Sequence, residues 1–295
     1  MRLVTCLAAL ALACATVHAE VSVDRTPAGI RPYFQPGVRG PWQRVRPEVA
    51  PPDILNELGD NRGDGWPVIR VNAGNALPDV VWPSADGEIL YSRHDGTSWT
   101  VPLDLSRNSC VDAMPALTTD DFANRFVAWD HARSNDRHSV YFTALSGDVA
   151  GQTDVRELSS RPRQGRRPSL RVYLDDLVYV GYEEASGPSD DTPSVALDQV
   201  RVGRLPSGMV ALGGAGTIDI ARSCTIRTHL RAAQPAEVRV ETEAGHLWIT
   251  WIDSDTLLGW SEVTNGGCGP AHYDPLDSLQ PERARELVRF EILGY

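Results

Sequence analysis

Pro67-Val68-Ile69-Arg70-Val71, and then Asp79-Val80-Val81-Trp82, is the pair of runs on which the fold turns. Each run is short, apolar and β-branched, the second ends in an aromatic, and turn-forming residues separate them, as strands in a meander require. The pair returns three times. Pro115-Ala116-Leu117 precedes Arg125-Phe126-Val127-Ala128-Trp129. Pro168-Ser169-Leu170-Arg171-Val172 precedes Leu177-Val178-Tyr179-Val180-Gly181-Tyr182. Pro235-Ala236-Glu237-Val238-Arg239-Val240 precedes Leu247-Trp248-Ile249-Thr250-Trp251.

A third strand follows in each unit: Ile89 to Ser92, Val140 to Thr143, Val200 to Val202, and Leu257 to Ser261. A fourth is visible in two units, at Trp99 to Asp104 and Tyr273 to Asp277. Four strands in a repeat of about 40 to 50 residues is the spacing of propeller blades. The expected fold is therefore all-β: a β-propeller of four clear blades over residues 63–295. The run Glu286 to Leu293 and the N-terminal segment would be available to close a fifth, which would remove an exposed edge. The longer step from Pro168 to Pro235 predicts an insertion in the third unit, with Leu212 to Gly216 as its candidate.

Upstream, Arg2, the apolar run Leu3 to Ala15 and the small residues of Val17-His18-Ala19 make residues 1–19 a signal peptide, with Glu20 as the mature N-terminus. Cys14 lacks the leucine that acylation would call for three residues earlier, so ordinary cleavage is expected. No later run is long enough for a permanent membrane anchor. Residues 20–62 read as a Pro- and Gly-rich lead-in. A secreted or periplasmic monomer is expected.

The formal charge is −11 and the pI near 5.1, which argues against a nucleic-acid partner. All 28 basic residues are arginine, so Schiff-base chemistry on lysine is excluded. That usage suggests a GC-rich bacterial genome. Of Cys110, Cys224 and Cys268, the expected bridge is Cys224–Cys268, which closes locally around the fourth unit. Their spacings match no metal pattern, and no cofactor motif occurs.

Ser92-Arg93-His94-Asp95-Gly96-Thr97-Ser98-Trp99 resembles the Asp-box of the sialidase-like propellers, through Ser92, Gly96 and Trp99, with the acid displaced to Asp95. Trp129-Asp130 also looks like that group. The resemblance implies a propeller in which Asp95 accepts backbone hydrogen bonds and Trp99 fills the blade. It implies no particular activity, since such turns occur in enzymes and binding proteins alike. The Arg-Ile-Pro signature of the sialidases is absent, and Tyr182-Glu183 mimics their nucleophile pair only at a position that elsewhere holds a packing tryptophan.

Two residue sets are candidates for a site. Arg70, Arg171 and Arg239 lie near equivalent places in three first strands, where guanidinium groups could converge on an anion or pair with acids of neighbouring blades. Asp64 and Asp112 precede the repeat proline by three residues, while Asp130, Glu183 and Asp253 follow the second-strand aromatic. These acids should share one face, as a carboxylate pair, a Ca²⁺ site, or turn caps and arginine partners. The expected function is a non-catalytic propeller binding a glycan or an extracytoplasmic protein. The alternative is a divergent exo-glycosidase, sialidase-like or arabinanase-like.

Overall fold

The computed structural model describes residues 20–26, 29–35, 67–72, 74–108, 110–134, 137–146, 152–159, 163–173, 177–185, 194–212, 218–227, 238–243, 245–253, 257–264 and 267–275. A hairpin comes first, β1 (Glu20–Thr26) against β2 (Gly29–Gln35). The lead-in thus contains paired strands where the sequence suggested only extended chain. In sequence, Val21 and Val23 alternate with Ser22 and Asp24, as a strand requires.

Four antiparallel meanders follow, and they are the blades of a β-propeller. Blade 1 is β3 (Val68–Val71), β4 (Pro78–Pro83), β5 (Ile89–Arg93) and β6 (Leu103–Asp104). Blade 2 is β7 (Val111–Thr119), β8 (Arg125–Ser134), β9 (Arg137–Leu145) and β10 (Arg156–Glu157). Blade 3 is β11 (Gln164–Val172), β12 (Leu177–Ala185), β13 (Ser194–Val202) and β14 (Ile218–Arg227). In blade 4, β15 (Arg239–Glu243), β16 (His246–Asp253) and β17 (Leu257–Thr264) are followed by an outer edge in two pieces, β18 (Gly267–Cys268) and β19 (His272–Pro275). First strands of successive blades lie against one another, β3 on β7, β7 on β11 and β11 on β15, so they line the axis.

The blades are held face to face by apolar side chains that alternate along the strands. Val81, Ile89 and Tyr91 pack on Leu117, Val127 and Trp129 between blades 1 and 2. Phe126, Val140 and Phe142 meet Leu170, Val180 and Tyr182 between blades 2 and 3. Tyr179, Val195 and Leu197 meet Val240, Ile249 and Trp251 between blades 3 and 4. The repeat aromatics Trp82, Trp129, Tyr182 and Trp251 are all fully buried. Gly259, paired with Trp251 across β16 and β17, makes room for that indole: a Cβ there would sit 2.1 Å from the ring.

Specific ties are also found at each junction. Arg125 donates to Asp79 across blades 1 and 2 (3.0 Å). Arg204 donates to Asp120 across blades 2 and 3 (2.6 Å). Cys224 of β14 is bonded to Cys268 of β18 across blades 3 and 4, and Cys110 is a free thiol. Closing a loop of this length restricts the unfolded chain by about 4 kcal/mol. Arg204 belongs to the excursion between β13 and β14 that lengthens the third repeat; most of the Gly-rich run, 213–217, lies outside the described residues, as does Glu286 to Leu293.

Candidate functional site

Second strands run toward the channel mouth and first strands run away from it, so the end of a second strand and the start of a first strand meet there. In blade 2, Ala113 faces Asp130 and Ala116 faces Ala128, which leaves Met114-Pro115 as a bulge. In blade 3, Arg166 faces Glu183 and Ser169 faces Gly181, leaving Arg167-Pro168. Both residues ahead of the proline have positive φ, 48° at Met114 and 52° at Arg167. For a non-glycine residue that conformation costs about 1 to 3 kcal/mol and is characteristic of functional sites. A bulge re-aims side chains at the end of a strand, and Met114 is indeed more than half exposed.

The acids of this mouth differ in their company. Asp112 is buried, hydrogen-bonded to His131 Nδ1 (2.6 Å), and accepts a bond from Asn108 Nδ2 (2.9 Å). His131 in turn stacks on Tyr141, with ring centroids 4.2 Å apart and an interplanar angle of 16°. Asp130 is buried and hydrogen-bonded to His138 Nδ1 (2.5 Å). Burial raises the Asp130 pKa, against the opposing pull of His138 and of Arg166 and Arg167. The Glu183 carboxyl makes no hydrogen bond among the described residues. Burial raises its pKa as well, the charges of Arg167 and Arg166 oppose the rise, and the Asp130 carboxylate adds to it. The next residue, Glu184, lies on the other side of β12, where Arg163 and Arg222 bind it.

The structure therefore brings Asp112, Asp130 and Glu183 to one end of blades 2 and 3. Asp64 lies outside the described residues, and of Asp253 only the backbone at the end of β16 is described. Arg70 and Arg171 sit at the other end of their strands, paired with Asp79 and Tyr179. Arg239 pairs with Thr250; it is Glu241, facing Trp248, that holds the register of Arg70 and Arg171. In the turn after β5, Asp95 Oδ1 accepts hydrogen bonds from the amides of Thr97 and Ser98 (2.8 Å each), Gly96 has φ 101°, and Ser92 donates to the Thr100 carbonyl (2.7 Å). Trp99 packs against Val80 and Trp82 but keeps part of its surface in solvent. Tyr182 is wholly buried and its hydroxyl donates to Asp198 (2.6 Å). That burial, with Asp198 beside it, raises its pKa well above the usual phenol value, which suits a packing residue and not a nucleophile.

Sequence reasoning did not single out Arg166, Arg167, Met114, His131 or His138. The signal was present for the first three: Met114 and Arg167 directly precede the repeat prolines Pro115 and Pro168, and Arg166 stands one residue further back.

No protein-family model matches the chain, and no curated protein matches it. Among solved structures, the α-L-arabinanase of Penicillium chrysogenum, determined with arabinobiose bound, overlaps 86% of this chain and 79% of its own at 12% identity and a TM-score of 0.44. An overlap at that score assigns neither activity nor ligand to this chain.

Proposed function

We propose that this chain is an exported propeller that binds a glycan or an extracytoplasmic protein at the mouth of blades 2 and 3 without cleaving it. The observation that carries the reading is the engagement of the mouth carboxyls: Asp112 is tied to His131 and Asn108, and Asp130 to His138. Glycoside hydrolysis needs two acids, one to protonate the leaving group and one to attack or to activate water. Here a single one, Glu183, is without a hydrogen bond among the described residues. Glu183, Arg166, Arg167 and the exposed Met114 offer a polar and apolar surface of the kind that orients a ligand. Export is supported by the leader Met1 to Ala19 and by the Cys224–Cys268 bridge.

A glycosidase is the second reading, and one feature favours it: burial raises the pKa of both Asp130 and Glu183, as a general acid requires. The mature protein is to be assayed on fluorogenic glycosides from pH 4 to 8 and probed on a glycan array. No turnover is expected, and array binding should fall in Arg167→Gln. Turnover lost in both Glu183→Gln and Asp130→Asn would replace the binding reading with the glycosidase.

A further inference from the structure

The channel's other end carries charge of the opposite sign. Four residues share one register position in the first strands: Arg70 opposite Asp79, Thr118 opposite Phe126, Arg171 opposite Tyr179 and Glu241 opposite Trp248. Each of those partners lies three residues before a repeat aromatic, so the blades present them at one level. Arg70 and Arg171 come from blades 1 and 3, on first strands that line the axis, and burial, with the positive charge of Arg171 adding to it, lowers the Arg70 pKa.

Their company sets them apart from the arginines inside the propeller. Arg125 is on Asp79, Arg204 on Asp120, and Arg222 on Asp198 and Glu184. Among the described residues, Arg70 donates only to the carbonyl of its neighbour Ile69 (3.2 Å), and Arg171 only to the Thr242 hydroxyl, through Nε (2.9 Å). Neither meets a carboxylate there. Among the described residues, both Nη groups of Arg171 and the Nε and Nη2 groups of Arg70 are thus left to donate. Two like charges close together repel, and an oxyanion between them reverses the sign of that interaction. A planar oxyanion also matches the fork of donors that each guanidinium presents.

We propose that Arg70 and Arg171 form an anion site in the channel, at the end opposite the mouth, that holds one oxyanion of carboxylate or phosphate type. The site stands independently of the mouth: either can be lost with the other intact. Thr242 fixes the direction of Arg171, and Glu241, of like charge to the ligand, closes the blade 4 side against a second anion.

The test is thermal unfolding and titration calorimetry in low-salt zwitterionic buffer, with inorganic phosphate in one arm, acetate in the other, and chloride at matched ionic strength as control. Wild type should show a saturable rise in Tm with phosphate or acetate beyond that with chloride, and the arm that responds names the ligand chemistry. Arg70→Gln and Arg171→Gln should each weaken that binding by about tenfold to a hundredfold, the loss of a charge-assisted contact, and Arg239→Gln should leave it unchanged. Without added anion, Arg171→Gln should be no less stable than wild type, since it removes a repulsion. An equal response in wild type and both variants, no response to either anion, or a marked loss of Tm in anion-free Arg171→Gln would overturn the site.

Discussion

Asp79 and Glu183 are both carboxylates of second strands, one in blade 1 and one in blade 3, and their treatment is opposite. Asp79 is closed off from water and saturated: Tyr91 donates to it at 2.6 Å, Arg125 at 3.0 Å and Asn72 at 3.0 Å. Glu183 is partly buried, meets its arginines only through the field, and carries a raised pKa. The difference is between an acid whose bonds are completed by the fold and one whose bonds the fold leaves open. A buried polar group without partners is costly, so its survival beside two strained bulges marks a site, whereas Asp79 marks a joint.

That contrast breaks most readily at the joint. Asp79→Ala leaves the Arg125 guanidinium, with 1% of its side chain exposed, as an uncompensated buried charge. A loss of about 3 to 5 kcal/mol in urea-induced unfolding is expected. A loss below about 1 kcal/mol would mean that water replaces the carboxylate, and that Asp79 is no more a joint than Glu183 is.

A smaller effect separates buried aromatics from half-buried ones. Trp99, expected from its Asp-box position to fill a blade, rests on Val80 and Trp82 with part of the ring in solvent. Trp99→Ala should cost about 1 to 2 kcal/mol, against about 3 to 5 for the fully buried Trp129→Ala. Equal losses at the two sites would show that Trp99 is covered in solution.

The four blades were legible because burial writes itself into sequence with a short period. Trp82, Trp129, Tyr182 and Trp251 each close an alternating strand, and that pattern survives divergence of everything around it. The hairpin of β1 and β2 was hidden by the proline and glycine around it, and β14 by the Gly-rich run that precedes it. Of the candidate site, the acids were legible from their place after the aromatics. The bulges were not, since neither Met114 nor Arg167 is a residue type that announces a positive φ. Counting from the repeat proline also placed Arg239 one position from Arg70 and Arg171. Strand pairing puts it two positions away, with Glu241 in the shared register, because register is fixed by the partner strand and not by distance from a turn.

The smallest effect bears on Glu183 itself. Burial holds its pKa above the ordinary 4.5, so the folded state binds this proton more tightly than the unfolded chain does. Stability from this group is then greatest below the unfolded pKa, declines as pH rises through the folded pKa, and stays reduced above it. Glu183→Gln abolishes that dependence. The variant and wild type should have the same Tm at pH 4, where both side chains are neutral, and the variant should be the more stable at pH 7 to 8. Thermal unfolding across that range measures the difference directly. A variant less stable than wild type at pH 7 would mean that attraction to Arg166 and Arg167 outweighs burial. Glu183 would then be an ion-pair acid of the same kind as Asp79, and the mouth would lose the one carboxyl that has no hydrogen bond among the described residues.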